Sequence, residues 1–284
     1  MRFVGTVDRV RAPSGSAFEA YVSTGTPVIL QGVVEDWPAL RRWSSSYLAE
    51  LLGDAPVRCK VSTSNAHPDF RCGDWRRAFA TETLPFRSFI QRVSSGSPPE
   101  RTRWLFTGDE QYVWRVRNGE EQHHEALQPL TRDFSLPDLV PRDRLYSVWA
   151  WFSAAGVRTW LHYDNNGCHN LNVQVRGRKR AWLIAPEELD RCEMFPPGGD
   201  NPAVNCSSID VDAPPQTSRW ASVSAWEAEV REGEVLFIPV NWLHTFEHLG
   251  AFNANVNFWW KPDVVPDDPV ARREASLRGP SPIP

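Results

Sequence analysis

The second half of the chain consists largely of short β-forming segments that follow one another with little helical sequence between them. Turns rich in glycine and charge, at 176–178 and 231–234, separate neighbouring segments. A regular series of short strands with turn signals predicts a mainly β sandwich or barrel, and the jelly roll is the member of this class that closes around a ligand cavity. The predicted strands span 145–152, 160–163, 170–175, 181–184, 226–230, 235–240, 244–249 and 252–260.

The first half of the chain mixes strand and helix patterns. An amphipathic helix follows the capping residues Ser44 and Ser45 and ends at Gly53, because serine favours helix starts and glycine favours helix ends. Beyond residue 106 the sequence is charged and irregular as far as Pro141. The other elements predicted here are strands over 26–34, 57–61 and 104–106 and a helix over 85–93.

We expect these elements to form one domain over residues 1–261. It would comprise an N-terminal α/β portion with helical additions (1–140) and a jelly-roll core (141–261), followed by a peripheral tail (262–284). The long segment between residues 186 and 220 interrupts the strands, and a loop of that length is typically a functional lid or a disordered insertion.

The composition argues against several classes of protein. With 284 residues, 41% of them hydrophobic, the chain is long enough to bury a sizeable core. Its net charge of -4 gives no global positive field, so neither nucleic acid nor a membrane is expected as a partner. Five cysteines without a C-x-x-C pair argue against a disulfide framework or structural zinc and favour a reducing, cytoplasmic location. The oligomeric state is left open.

A histidine and an aspartate two residues apart form the first candidate for metal binding. His162 and Asp164 lie in or next to a predicted strand and would share one face, where an imidazole and a carboxylate suit a divalent metal. Alone, such a pair more commonly makes a surface hydrogen bond. His244, after the apolar strand 235–240, supplies a third ligand, although His248 would share its face and is a rival. Two histidines and one carboxylate are the ligand set of non-haem Fe(II) oxygenases.

Two predicted strands carry amide side chains at alternate positions. One has Asn170, Asn172 and Gln174 on one face, and the other has Asn253, Asn255 and Asn257. In an ordinary half-buried strand such amides would face water. In a closed barrel they would line a polar cavity instead, provided that a charged ligand satisfies them.

Four motifs in order resemble the JmjC/cupin-like family of Fe(II)- and 2-oxoglutarate-dependent dioxygenases. They are H-Y-D at 162–164, N-L-N-V-Q-V-R-G-R-K-R at 170–180, G-E-V-L-F-I-P-V-N-W-L-H at 233–244 and N-V-N-F-W-W at 255–260. The likeness covers residues 145–261, and it is strongest to the hydroxylase branch, including the asparaginyl hydroxylase that inhibits hypoxia-inducible factor. It implies a double-stranded β-helix fold and iron ligation by His162, Asp164 and His244.

The resemblance also implies which residues hold the co-substrate. Lys179 would pair with the distal carboxylate of 2-oxoglutarate, and the hydroxyl of Thr159 would assist it. Asn170 and Asn257 would lie near the metal-bound end of the co-substrate. With dioxygen, such a site would hydroxylate an unactivated C–H bond of a peptide, protein or small-molecule substrate and release succinate and CO2.

Two departures from the family pattern affect this assignment. Residues 165–169 make the segment after Asp164 longer by two than in the asparaginyl hydroxylase, and His169 is expected to face away from the metal. The tyrosine that helps to bind 2-oxoglutarate in some relatives has no clear counterpart. Trp104 falls near its place without a hydroxyl, and Tyr146 is a possible substitute.

Three other functions use the same residues. A cupin-like module could bind metal without turnover, a JmjC-type N-demethylase would apply the same iron chemistry to an N-methyl group, and a zinc hydrolase could use the same triad. A hydrolase would leave Lys179 and the asparagines without a role. A non-catalytic module would need neither Lys179 nor all three metal ligands together.

Overall fold

The computed structural model describes residues 1–72, 77–95, 104–107, 112–197, 203–264 and 267–278, and it is built mainly of β-strands. The strands are β1 (Arg2–Thr6), β2 (Arg9–Arg11), β3 (Val28–Gln31), β4 (Pro56–Ser62), β5 (Ala66–His67), β6 (Ala80–Pro85), β7 (Trp104–Thr107), β8 (Tyr112–Arg117), β9 (Glu120–His123), β10 (Leu145–Ala154), β11 (Arg158–Thr159), β12 (His169–Arg176), β13 (Lys179–Ile184), β14 (Ser224–Val230), β15 (Val235–Ile238), β16 (Leu243–His248) and β17 (Phe252–Trp260).

The helices are short and lie mostly in the N-terminal portion. Ser44 starts one of them as predicted, because its hydroxyl oxygen accepts a hydrogen bond from the backbone N–H of Tyr47 at 3.1 Å. None of the helices in the described ranges has the length and hydrophobicity that a bilayer crossing requires. The helices are α1 (Gly15–Thr24), α2 (Ala39–Arg42), α3 (Ser45–Leu52), α4 (Phe86–Ser94), α5 (Ser218–Ala221) and α6 (Pro269–Arg278).

Two sheets form the body of the molecule. In the smaller sheet the strands follow the order β1-β14-β13-β16-β11-β5, and in the larger the order is β2-β3-β15-β12-β17-β10-β7-β4-β6, with β8 and β9 beside β10. The strands β10, β17, β12 and β15 pair antiparallel, as do β14, β13, β16 and β11. The pairs β1–β14, β5–β11 and β2–β3 are parallel, so both sheets are mixed around antiparallel centres. Two sheets with these antiparallel centres are consistent with a jelly roll, so the predicted fold class is confirmed.

The central strands of the larger sheet, β15, β12 and β17, are buried on both faces. The outer face of this sheet packs against the helices through an apolar cluster that includes Phe18, Trp43, Phe89 and Phe258. Alternate side chains of β12 and β17 turn inward, so the amides predicted to share a face are buried together. The interpretation that these amides face water is therefore wrong, and the space between the sheets is polar at one end.

Three segments differ from the sequence-based prediction. Strand β11 ends at Thr159, so His162 follows it and joins the sheet only through isolated bridges to His244 and Cys206. The stretch before Pro141, expected to be irregular, contains the hairpin β8–β9. His67 is buried in β5, a strand that the sequence analysis did not predict.

The insertion after β13 is held against the jelly roll in its described parts. The backbone N–H of Ser207 donates to the carbonyl of Leu161 at 2.9 Å, and that of Tyr163 donates to the carbonyl of Asn205 at 3.1 Å. The segment containing α6 is attached to the same region, because the guanidinium of Arg273 donates to the hydroxyl of Tyr163 at 3.4 Å. The insertion therefore forms a wall beside the candidate metal ligands.

Candidate metal and co-substrate site

The three predicted ligands converge at one end of the space between the sheets. The Nε2 atoms of His162 and His244 lie 3.9 and 4.0 Å from Oδ1 of Asp164. The ligand atoms of all three side chains lie within 4.8 Å of one another, and within the described ranges no other group of histidine, cysteine or acidic residues is arranged in this way. The geometry suits a cation that binds the three from one side.

Each imidazole is fixed in the form that a metal requires. Nδ1 of His162 lies 2.6 Å from the carbonyl oxygen of Trp160, and Nδ1 of His244 lies 3.0 Å from that of Trp242. A carbonyl oxygen can only accept, so both Nδ1 atoms carry the proton and both Nε2 atoms keep a free lone pair. Burial and then the neighbouring His244 lower the pKa of His162 to about 4, which keeps its ring neutral.

Backbone pairing sets the spacing of the two histidines. The N–H of His162 donates to the carbonyl of His244 at 3.0 Å, and the reverse hydrogen bond measures 2.6 Å. These reciprocal hydrogen bonds place the rings 4.4 Å apart between centroids. His162 and Asp164 are thus brought together by an irregular segment docked on β16, rather than by the alternation of a regular strand.

Asp164 presents its two oxygens to different partners. Oδ2 accepts hydrogen bonds from Nδ2 of Asn170 at 2.9 Å and from Nε1 of Trp259 at 2.8 Å, whereas Oδ1 faces the two imidazoles. Burial would raise the pKa of Asp164, but the neighbouring imidazoles and these hydrogen bonds outweigh it and lower the pKa. The carboxylate is held ionised, with one oxygen directed towards a cation.

A chain of amides extends from Asp164 along the larger sheet. Asn257 donates from Nδ2 to Oδ1 of Asn170 at 3.0 Å, and Asn255 donates in turn to Asn257. Asn170 and Asn257 both line the cavity, as predicted, but Asn170 already uses its amide N–H on Asp164 and its oxygen on Asn257. Its described contacts therefore orient a metal ligand.

Lys179 enters the same cavity from β13, away from the three ligands. Its side chain is 1% exposed, and its ammonium donates to Oδ1 of Asn172 and lies 4.4 Å from the centroid of the Phe246 ring. Within the described residues, no carboxylate forms a salt bridge with it. Burial therefore lowers the pKa of Lys179 well below its usual value. An anion bound beside this ammonium would offset the cost of burying its charge.

Other residues complete the closed end around Lys179. Thr159 lines the cavity, and its Oγ1 accepts the backbone N–H of Phe246 at 2.8 Å, which leaves the hydroxyl proton available to a ligand. His248 and His67 also line the cavity at this end. His248 is thus absent from the metal-ligand group, and its alternative assignment as a ligand receives no support.

The cavity that joins these two ends has a volume of about 610 Å³, within the range of small-molecule sites. Aromatic rings form part of the cavity wall. Trp149 and Trp151 stack with centroids 5.5 Å apart at 13°, and Trp259 meets Trp149 edge-on at 6.2 Å. The wall offers flat apolar area to a substrate beside the ligand triad.

Three further residues from the sequence analysis are His169, Tyr146 and Trp104. His169 faces away from the metal, as expected, because its Nδ1 accepts the N–H of Val240 at 3.2 Å and its ring packs on Phe237. Tyr146 is 41% exposed and lies under the ammonium of Lys261, so it is not a substitute for the family tyrosine in the buried surroundings of Lys179. The side chain of Trp104 lies outside the described residues.

The family relationship follows from a comparison with known domains. A family described as the cupin-like domain matches residues 14–264. The chain belongs to this cupin-like domain family. The membership confirms the JmjC/cupin superfamily expected from the motifs, but not the nearer likeness to the asparaginyl hydroxylase.

Named relatives of this cupin-like protein fall into two groups. A tRNA wybutosine-synthesizing protein 5 of Danio rerio is 30% identical over 230 residues, which are 79% of this chain and 65% of the relative. A lysine-specific demethylase of Arabidopsis thaliana is 29% identical over 272 residues, 91% of this chain and 56% of the relative. Lysine-specific demethylase 8 of Xenopus tropicalis is 26% identical over 268 residues, 89% and 52% respectively.

The cupin-like chain spans about half to two thirds of the length of these relatives. Their names include a tRNA modification, so the expectation that nucleic acid is excluded as a partner is not supported by the comparisons. The arginine-rich run at 176–180 gives no argument for it, since its exposed guanidinium groups are paired with glutamates. The ion pairs are Arg176–Glu232, Arg178–Glu229, Arg180–Glu227 and Arg180–Glu247.

The sequence analysis assigned no role in the site to Trp259, Asn172 or His67. All three line the cavity, and their positions there depend on how the strands pair. Asn172 carried a signal, because it alternates with Asn170 along one strand. Trp259 could have been found in the same way, since it continues the alternation of Asn255 and Asn257.

Proposed function

We propose that this protein is an Fe(II)- and 2-oxoglutarate-dependent dioxygenase that hydroxylates an unactivated C–H bond of its substrate. His162, Asp164 and His244 would hold the iron, and Lys179 with Thr159 would hold the distal carboxylate of 2-oxoglutarate. When bound, the iron and 2-oxoglutarate would supply oxidation of the substrate by dioxygen, with release of succinate and CO2. Membership of the family and the names of enzymatic relatives support this proposal.

The main support for the proposal is that one cavity has three candidate metal ligands at one end and the buried ammonium of Lys179 at the other. Three preorganised ligands of the facial type leave metal positions for a chelating co-substrate and for dioxygen. The buried ammonium of Lys179 lacks a described carboxylate partner and requires an anion. A short dicarboxylate that chelates the metal at one end and meets Lys179 at the other satisfies both requirements.

The protein's own residues would orient the metal ligands and exclude water from the reacting carbon. Asn170 and Trp259 fix the carboxylate of Asp164, and the carbonyls of Trp160 and Trp242 fix the two imidazoles. The aromatic wall of Trp149, Trp151 and Trp259 would keep water from the reacting carbon and hold it near the metal.

Two classes of reaction compete within this proposal. N-demethylation is the second candidate, because two relatives are named as lysine-specific demethylases. Against it, Asp164 is the one carboxylate among the described cavity residues, and a cationic methylammonium substrate would also meet the positive charge of Lys60. We therefore favour hydroxylation of a neutral or anionic substrate. Protein side chains, tRNA nucleosides and small molecules are the classes to screen.

The test measures succinate and oxygen insertion together. Purified protein loaded with Fe(II) should form succinate from 2-oxoglutarate, and a true substrate should gain one oxygen atom by mass spectrometry. His162→Ala should reduce both to the background without enzyme, because only two metal ligands remain. Release of formaldehyde with loss of a methyl group would instead indicate N-demethylation.

His169→Gln serves as the matched control, since it changes a buried histidine outside the ligand group. This variant should retain succinate formation. Unchanged turnover in His162→Ala would refute the ligand assignment. An iron-loaded wild type that forms no succinate with any candidate substrate would support a non-catalytic metal-binding module.

A further inference from the structure

The closed end of the cavity holds a histidine that the iron chemistry leaves without a role. His244, Phe246 and His248 alternate along β16 and line the cavity, so His248 lies two inward positions beyond the metal ligand. It stands directly opposite Lys179 in the antiparallel pairing of β13 with β16. Directly opposed side chains have Cβ atoms roughly 5 Å apart, so the imidazole and the lysine side chain share one wall.

A carboxylate bound at this end needs more donors than Lys179 supplies. An ionised carboxylate has about four acceptor positions. The ammonium has already committed one of its protons to Asn172, and Thr159 offers a single hydroxyl proton. Both Lys179 and His248 are nearly inaccessible, 1% and 2% exposed, so water would not complete the set. The oxygens left over would be buried without partners, which is costly.

We propose that His248 donates a hydrogen bond to the distal carboxylate of 2-oxoglutarate beside Lys179. The inference rests on the proposed function, because it names a further binding residue of that site. Tyr146 is 41% exposed and contacts Lys261, so its surroundings differ from this buried end of the cavity. Like Lys179, His248 lines the cavity from the smaller sheet.

The surroundings of His248 favour a neutral donor. Burial, then the charge of Lys179 and then His67 lower the pKa of His248 to about 3. A neutral imidazole still carries one N–H and does not repel the neighbouring ammonium. It therefore adds a donor to the carboxylate site without adding a second buried positive charge.

The proposal predicts a selective loss of affinity. Binding is measured by titration calorimetry on the full chain loaded with Mn²⁺, using 2-oxoglutarate and 2-oxopentanoate, which has a methyl group in place of the distal carboxylate. His248→Phe should weaken 2-oxoglutarate binding by roughly ten- to a hundredfold, the range for a hydrogen bond to a charged group. Its affinity for 2-oxopentanoate should change less than about twofold, because that ligand lacks the acceptor.

Two further variants make the result decisive. His248→Gln keeps an N–H donor and should restore most of the 2-oxoglutarate affinity, whereas a purely structural role would not be rescued in a ligand-specific way. Lys179→Met should abolish the preference for 2-oxoglutarate. If the His248→Phe protein does not unfold cooperatively, His248→Leu takes its place.

The outcomes separate this inference from the function on which it rests. Equal weakening of both ligands in His248→Phe, or no weakening of either, would overturn the role of His248 while Lys179→Met still supports the co-substrate site. A wild-type protein that fails to prefer 2-oxoglutarate over 2-oxopentanoate would overturn the proposed function itself.

Discussion

The two oxygens of Asp164 have separate tasks. Oδ2 is fully engaged by Asn170 and Trp259, so the carboxylate cannot rotate to offer both oxygens to a cation. Only Oδ1 remains on the side of the imidazoles. A carboxylate fixed in this way would bind a metal through one oxygen and leave more of the metal's positions for ligands that enter from the cavity.

The indole of Trp259 should therefore tune metal affinity. Trp259→Phe keeps an aromatic ring in the wall but removes one of the two donors to Oδ2. Loss of such an outer hydrogen bond typically weakens metal binding by about 10- to 100-fold. The affinity for Mn²⁺, measured by electron paramagnetic resonance titration, should fall by that factor.

Trp43→Phe is the matched control for this change. Trp43 is also buried and also donates its indole N–H to a carboxylate, that of Asp133 at 3.1 Å, but it is far from the ligands in sequence and does not line the cavity. It should lower stability and leave Mn²⁺ affinity unchanged. Equal losses of affinity in the two variants would show that the effect of Trp259 is general loosening of the fold.

The candidate site residues that belong to ordered sequence motifs could be predicted from the sequence. His162, Asp164, His244 and Lys179 belong to ordered motifs, and the structure brings the first three together at one end and the fourth to the other. Their roles as ligands stay predictions. The partners that orient them were not predictable, because the contact between Trp259 and Asp164 depends on how an irregular segment docked on β16 meets a side chain of β17.

Two turns pack closely at the end of the jelly roll beside Lys179. Gly177 lies between β12 and β13 with φ of 73°, and Gly250 lies between β16 and β17. A Cβ atom at Gly177 would come within 2.5 Å of the carbonyl oxygen of Phe252. The chain has no room for a side chain here, so the glycine is required by both conformation and contact.

Substitution of Gly177 should separate the effect of its left-handed conformation from the effect of the backbone contact. Gly177→Ala should lower the free energy of unfolding by about 1 kcal/mol for the left-handed conformation and a further 1–3 kcal/mol for the backbone clash. Gly119→Ala is the control, because Gly119 has φ of 80° but no atom within 4 Å of the added Cβ. Urea denaturation of the two variants should differ by the clash alone, and equal losses would contradict the close packing of the turns.

The sequence predicted some strands correctly and missed others. Strand β17 matches its predicted bounds, since an uninterrupted alternation ends at Lys261. The hairpin β8–β9 was missed, although Asn118-Gly119, both with positive φ, is a strong hairpin turn signal. The strand expected at 160–163 was wrong, because β-forming residues there pair with the insertion and with β16 as isolated bridges.

Several histidines are buried in the protein, and burial keeps them neutral by lowering their pKa. Burial, then the charge of Lys60, lowers the pKa of His67 to about 3, despite the opposing charge of Asp69. An unfolded chain would protonate this ring near pH 6.5. The unfolded state therefore binds more protons between pH 6.5 and 3, and the folded state loses stability as the pH falls through that window.

His67→Phe should flatten this dependence of stability on pH. A single buried histidine contributes a slope of about 1.4 kcal/mol per pH unit below its unfolded pKa, so the variant should lose about 2 kcal/mol less than the wild type between pH 6.5 and pH 5. Urea unfolding at several pH values measures the slope. His123→Phe changes a histidine whose side chain is 45% exposed, and that protein should follow the wild type.

At this scale the fold class was predictable because short strands and turns recur at regular intervals. The division into one domain over 1–261 and a tail over 262–284 stays a prediction, as does a cytoplasmic location. Free, buried cysteines at positions 59, 168, 192 and 206 agree with the absence of a disulfide framework among the described residues. The polar inner face was less predictable, since burial of amides depends on both sheets closing over them.

The reciprocal hydrogen bonds between His162 and His244 have a consequence for metal uptake. Two ligands on independent loops would each lose mobility when an ion arrives, whereas these two rings are already joined through their own main chains. Ion capture by such a rigid pair should therefore require little ordering of the polypeptide. A substitution that separates the two backbones would slow loading even with every donor atom still present.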